Sequence, residues 1–503
     1  MTKKMTIVII MLFGLSIIGS SIATSLQERG SKKISPVSIF FDTFQPLPNH
    51  ECYKSSCFYI EYPRSSIPIF IEKSGTFTIQ FHCCHFDNLH VKISTAFEPV
   101  IDEYWLDITK IYFDGSVWNA EVSTPPEIPV ELYNLTVIIE SYGAFTAIEE
   151  PRAVNIIDEY KESFSFIHIT DLHVGDPRGF FYNVYETLQY RSILKCVEEI
   201  NLLHPDFVLI SGDVVFGQLY PFEYSREYKK CYEILQRFDV PTFLCPGNHD
   251  GYRRFREDGL VLWQRYFGSH YYSFEYGDYH VLAVNSYDWP VLNRLSFLFV
   301  VFNWGGYISD TQLEWIEHDL ATSEAEQQIM FLHHNPLWET MGDSLLHRPY
   351  ANREQLCSLI DEYQIDIVCA GHVHFDNVTV HNNTTYLTTT TPESEIRVED
   401  GYWGYRLIQI ENGSLASYNY KEPKYSIPSY HLNISTITPY MIEIENDLEG
   451  NYTILVKFTV PHGNYTVNQG SITQSRSDEV KTELYVQVFV EEKSTLSLLL
   501  SKV

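Results

Sequence analysis

Positive charge is scarce in this chain. Across 503 residues, 35 Lys and Arg face 65 Asp and Glu, for a formal net charge of −30 and an isoelectric point near 4.9. Such a surface repels nucleic-acid backbones and anionic bilayers, which argues against a genome-binding role. It leaves a phosphate substrate open, because bound cations reverse the local field. Long apolar runs are equally scarce. Outside the nearly unbroken apolar run at residues 6–19, no segment approaches the ~18 consecutive apolar residues that a membrane-spanning helix needs. Cysteine is sparse too, with nine in the whole chain. Cys52, Cys57, Cys83 and Cys84 suit one or two disulfides in an oxidising compartment. The run His82-Cys83-Cys84-His85 has the right residue types for zinc, but neighbours along a strand face opposite ways.

The apolar start has the layout of an export signal. Lys3 and Lys4 precede it, and Ser21-Ile22-Ala23 offers small residues for cleavage, so residues 1–23 are expected to be a signal peptide. An uncleaved anchor is the alternative, and the one route by which a membrane would enter. Eight Asn-x-Ser/Thr sequons, at Asn134, Asn377, Asn382, Asn383, Asn412, Asn433, Asn451 and Asn464, crowd the second half. They fit a glycosylated exterior, and the expectation is a secreted or extracytoplasmic surface protein.

Apolar residues make up 45% and charged ones 20%, a globular composition, and the length calls for two or three domains. Residues 37–157 alternate with period two, as in Thr76-Phe77-Thr78-Ile79-Gln80-Phe81, and read as a β-sandwich. Residues 163–424 alternate strand and helix. Apolar strands begin near 164, 207, 242, 329 and 365, and helical periodicity marks 188–203, 223–238 and 311–320. Residues 430–503 return to strand alternation and read as a second β-sandwich.

Five short blocks close the five apolar strands of the middle region: Asp171-x-His173, Gly212-Asp213, Gly247-Asn248-His249-Asp250, His334-Asn335-Pro336 and Gly371-His372-x-His374. Strand ends in an open α/β sheet are where ligands bind. Carboxylate, imidazole and amide together suit two divalent cations a few ångströms apart. His168, inside the first strand, reads as a satisfied core or surface histidine and no ligand. His333 competes with His334 for the fourth block.

Taken together, these blocks resemble the calcineurin-like metallophosphoesterase superfamily over about residues 164–420. Any one of them is common by chance; all five in order are specific. The resemblance implies an α/β core, a four-layer α/β/β/α sandwich, here flanked by N- and C-terminal all-β domains. It implies that Asp171, His173 and His374 hold one metal, that Asn248, His334 and His372 hold the other, and that Asp213 bridges them. The family places its fourth-block ligand two residues before a proline, which favours His334. Two divalent ions (Mn, Fe or Zn) would hold a bridging hydroxide for in-line attack on a phosphodiester. His249 would contact the phosphate and the leaving oxygen, with Asp250 orienting its ring.

The pairing of a β-sandwich with this core is similar to purple acid phosphatases, whose iron-binding tyrosine corresponds to Phe216 here. Phenylalanine cannot ligate, so no ferric chromophore is expected. Arg253 and Arg254 could steer a phosphate, against the plainer reading of solvated arginines. Residues 179–182 could stack part of a substrate. Residues 291–305 could form a lid or lipid-facing lip, against the preferred reading that they pack on the core or a neighbouring domain. The expected partner is a small phosphate ester. The alternatives are a phosphomonoesterase or nucleotidase on the same core, and a surface adhesion protein with a vestigial site.

Overall fold

A computed structural model describes residues 58–97, 100–176, 188–218, 224–254, 257–297, 300–338, 350–392, 403–421 and 424–503. The expected export segment, Cys52, Cys57 and residues 179–182 lie outside them. Among the described residues no helix is long and apolar enough to cross a membrane.

The described N-terminal residues form strands only. Eight of them share one ladder path, running from Tyr59–Tyr62 at one edge to Ile69–Glu72 at the other. The strand Glu103–Phe113 joins its two halves. Its early residues pair with Asn88–Thr95 and its later ones with Trp118–Ser123, with a register shift between Ile108 and Lys110. Alternation decides which side chains go inward: Phe77, Ile79 and Phe81 are buried between exposed or half-buried neighbours. They meet Val91, Ile93, Val137 and Ile156 in one apolar cluster. Cys83 and Cys84 carry no disulfide among the described residues. No metal-type cluster forms at 82–85 either: His82 faces Glu61 and His85 faces Asp87.

The middle region has two six-stranded sheets. In one, Thr242–Cys245, Phe207–Ser211 and Phe164–Ile169 run parallel, and Gly404–Glu411 pairs antiparallel beside the last. In the other, Tyr279–Val284, Gln327–Leu332, Ile367–Ala370 and Thr384–Thr388 run parallel between two antiparallel edge strands. Parallel strands covered on both faces need continuous apolar runs, and Phe207–Ser211 and Ile367–Ala370 are buried at every position. One apolar cluster joins the two sheets through Phe166, Phe207, Phe243, Val281, Phe331 and Cys369. A second packs the first sheet on helices Leu188–Leu203, Tyr224–Leu235 and Gly259–Phe267. A third packs the other sheet on Asp310–Thr322 and Arg353–Glu362.

The C-terminal residues form a four-stranded and a three-stranded sheet. Ile442, Ile444 and Leu498 of the first share an apolar cluster with Val456, Phe458 and Val486 of the second.

Candidate metal centre

All five sequence blocks lie just past the C-terminal ends of parallel strands, three in one sheet and two in the other. Glycine lets their loops touch. A Cβ on Gly247 would sit 2.2 Å from Asp213 Oδ1, one on Gly371 2.0 Å from Thr170 Oγ1, and one on Gly212 2.4 Å from the Gly247 amide nitrogen. Backbone bonds lock the crossings: the Asp171 N–H donates to Gly212 O, His173 N–H to Asp213 O, and Gly371 N–H to His333 O. Asp171, His173, Asp213, His372 and His374 all have positive φ, between 46° and 72°. That conformation is costly for residues with a Cβ and persists only where the surroundings over-determine it.

The side chains converge. His374 Nε2 lies 3.0 Å from Asp171 Oδ1. Asp213 Oδ2 lies 3.0 Å from His333 Nε2, 3.5 Å from His173 Nε2 and 3.8 Å from His249 Nε2. Ligand atoms of Asp171, His173 and His374 fall within 4.8 Å of one another, and so do those of Asp171, Asp213 and His333. Asp171 and Asp213 are buried. Asn248 Nδ2 donates to the Tyr252 hydroxyl at 2.6 Å. That leaves its buried Oδ1 without a hydrogen-bond donor, an arrangement a cation satisfies.

In the fourth block the geometry distinguishes the two adjacent histidines. His334 is buried, but both its ring nitrogens are engaged, Nδ1 with Ser286 Oγ and Nε2 with the Trp304 carbonyl, each at 2.9 Å. His333, the first residue past its strand, points the other way. Its Nδ1 donates to the Ser211 carbonyl at 2.8 Å, which fixes the tautomer and leaves Nε2 toward Asp213 and, at 3.2 Å, His372 Nδ1. A carbonyl-anchored imidazole with its free nitrogen among carboxylates is the usual form of a metal-bound histidine. His333 thus lies nearer the carboxylates than His334 does, while ligand atoms of His333, His334 and His372 all fall within 4.8 Å of one another.

Asp250 is a correction. Its carboxylate does not reach the His249 ring: Oδ1 accepts from the Val214 and Val215 amides and Oδ2 from that of Gly247. It shapes the loops of the second and third blocks. His249 is instead oriented by the Phe216 carbonyl, which accepts from its Nδ1, so that Nε2 faces the centre. No side-chain pattern could have revealed a partner that is a backbone oxygen. Phe216 itself packs its ring beside His173 and His249.

The electrostatics call for cations. Burial alone would raise both carboxyls, yet His374 and His333 hold Asp171 well below its usual range, and His333 and His249 do the same for Asp213. Burial pulls His333 down, but Asp213 and Asp171 lift it to about 9, so without metal a proton supplies the missing positive charge. Burial and then His334 and His333 keep His372 neutral, and burial lowers His249 to about 4 even against Asp213. Neutral imidazoles offer the lone pairs that metals need.

Other candidates fall outside the cluster. His168 is fully buried and satisfied by Thr389 and Ser211. Arg254 is not solvated, since it is buried and donates to the Gly217 carbonyl, and Arg253 faces Asp258. Of the 291–305 stretch, Val301 and Trp304 pack with Tyr252 and Tyr287. Val291, Leu292, Leu295 and Phe302 are exposed.

Comparison with known proteins agrees with this geometry. The family model of calcineurin-like phosphoesterases matches residues 164–376. A probable glycerophosphodiester phosphodiesterase of Arcobacter nitrofigilis is 24% identical over 237 residues, 46% of this chain and 80% of that protein. A 3′,5′-cyclic-nucleotide phosphodiesterase of a Nostoc species is 23% identical over 283 residues, 53% of this chain and 96% of that one. A 3′,5′-cyclic adenosine monophosphate phosphodiesterase of Escherichia coli is 27% identical over 215 residues, 41% and 68% respectively.

Proposed function

The chain belongs, through residues 164–376, to the calcineurin-like phosphoesterases, a metal-dependent family that uses two divalent ions, and from that premise we propose that it hydrolyses a small phosphodiester. The observation that carries this reading is the set of imidazole donors gathered with both carboxylates at the strand ends, beside a buried Asn248 amide oxygen that lacks a hydrogen-bond donor. Phosphodiester rather than monoester chemistry is supported by the activities named for the three relatives.

Asp171, His173 and His374 would hold one ion, and Asn248, His333 and His372 the other. Asp213 would serve both, since its Oδ2 already faces imidazoles from the first, third and fourth blocks. When bound, the two ions supply Lewis acidity toward the phosphoryl oxygens and lower the pKa of water to near neutrality. The chain's own residues do the rest. His249, its ring set by Phe216 O, would present Nε2 to the phosphate and the leaving oxygen, and would need the substrate's negative charge to draw a proton onto that nitrogen. With Phe216 in place of a tyrosine, the centre would lack the phenolate ligand that a ferric chromophore needs.

On the same reading the core is an α/β/β/α sandwich at 163–424, with β-sandwiches at 37–157 and 430–503. We place the enzyme outside the cytoplasm, secreted or surface-tethered. The basic and apolar residues 3–23 support this, as do the exposed sequon asparagines Asn382, Asn383, Asn412, Asn451 and Asn464.

The test is hydrolysis of bis-p-nitrophenyl phosphate against p-nitrophenyl phosphate by metal-stripped protein given Mn²⁺ or Zn²⁺. Faster diester turnover that returns with metal is expected. Monoester preference would redirect the assignment to a phosphatase or nucleotidase. Failure on both without stoichiometric metal would favour a binding protein.

A further inference from the structure

Two residues beyond His374, Asp376 is buried and reaches no ligand of the centre. All the same, its carboxylate is saturated. Oδ1 accepts from Arg406 Nη2 at 2.8 Å and the Thr390 amide at 3.1 Å. Oδ2 accepts from the Ser426 amide at 3.0 Å and its hydroxyl at 2.9 Å. Arg406 is fully buried, and its other donors reach Thr389 Oγ1 and the carbonyls of Thr388, Tyr418 and Lys424.

Taking this pair out of water is expensive, and an apolar pair of equal volume would often be as stable. What a fully satisfied buried network does provide is a single geometry. The network leads straight to the metal blocks. Thr390 Oγ1 donates to the His374 carbonyl at 3.1 Å, and Thr391 Oγ1 to the Asp171 carbonyl at 2.7 Å. The Thr389 amide donates to the carbonyl of Ala370, two residues before His372. His372 and His374 both sit in left-handed backbone, at φ 72° and 59°, which a residue with a Cβ adopts only at a cost. Something outside the turn has to hold it.

We propose that Asp376 and Arg406 are positioning residues for the metal centre: they brace the His372–His374 turn and tie it to the segment, through Ser426, that leads into the C-terminal β region. This rests on the reading of the centre as a two-metal site. Metal affinity then depends on side chains that never touch metal, and on a segment outside residues 164–376.

Full-length wild type, Arg406→Lys and Ser426→Ala should be stripped of metal and titrated with Mn²⁺ against a chromophoric chelator, with melting temperature and turnover at saturating Mn²⁺ measured in parallel. Ser426→Ala removes one hydroxyl and strands no charge, so it guards against simple misfolding of the arginine variant. Metal affinity is expected to fall about 10–100-fold in both variants, with turnover recovering as Mn²⁺ is raised. If wild type binds two ions and both variants bind them as tightly, with only the melting temperature lowered, the pair is merely structural and the inference is overturned. If wild type itself binds none, the two-metal reading falls and this inference with it.

Discussion

Metal-stripped protein should lose stability steeply between pH 7 and pH 9.5, and metal-loaded protein should not. His333 has no exposed surface, and its ring nitrogen lies 3.0 Å from one carboxylate and 3.9 Å from another. Without metal this lifts its pKa from 6.5 to about 9. A histidine whose folded pKa is raised contributes stability that is complete below its unfolded pKa and is lost as pH rises through the folded one. The window therefore opens near 6.5 and closes near 9, and the loss is about 3 kcal/mol. The depression of Asp213 expresses the same attraction and is not counted again. For a domain of this size, that loss lowers the melting temperature by about 6–12 °C. His280, between Glu275 and Asp319, is also raised to about 9 against its burial, and adds a slope of its own. That slope is the same with or without metal, so the difference between the two curves isolates His333. Metal displaces the proton, so loaded protein at saturating Mn²⁺ should hold or gain stability over the same range. Melting curves by scanning calorimetry in chelator and in Mn²⁺, from pH 7 to 9.5, supply the comparison. Parallel losses in the two would refute both the proton on His333 and its placement against Asp213.

The two adjacent histidines should separate by elemental analysis: His333→Ala loses one of the two ions and its turnover, while His334→Ala keeps both. The cost of His334→Ala should appear as about 3 kcal/mol or more of stability, from a buried ring and its bonds to Ser286 and Trp304. His249→Ala should retain metal and the fold but lower kcat on bis-p-nitrophenyl phosphate about a hundredfold; an unchanged kcat would remove His249 from the reaction. Gly247→Ala puts a Cβ 2.2 Å from Asp213 Oδ1 and 2.8 Å from His333 Cγ, so metal content should drop along with about 1–3 kcal/mol of stability.

Most of the centre was legible because each ligand block announces itself twice, by its residue types and by the apolar strand before it. Asp171, His173, Asp213, Asn248, His372 and His374 were all read in this way; the structure gathers the carboxylates and imidazoles among them and leaves the buried Asn248 Oδ1 without a hydrogen-bond donor. Between His333 and His334 the residue types alone could not decide, and the structure separates them by partner: Ser211 O and Asp213 for His333, Ser286 and Trp304 O for His334. Asp250 failed for a physical reason: a carboxylate beside a histidine in sequence points wherever its own acceptor needs lie, and three backbone amides outcompeted one ring. The helices Gly259–Phe267 and Arg353–Glu362 also went unread. The first is dense in Val, Leu, Trp and Phe, which blurs its period, and the second is only ten residues long with Leu356 and Ile360 as its buried pair.

What sequence could not supply was the support of the centre, and the reason is physical. A metal ligand must be one of a few side chains, so its type is informative. The groups that hold a ligand in place need only an oxygen or a hydrogen at the right point, and any backbone provides both. Ser211 O fixes His333 and Phe216 O fixes His249 through atoms common to every residue. Where side chains do take on this work, they come from far along the chain, as Arg406 and Ser426 do for Asp376. Their types, arginine, serine and threonine, are those of an ordinary surface, and only burial sets them apart. The chemistry of this protein is thus written in its blocks, whereas the geometry that tunes it is written in the fold, partly in residues beyond the last block.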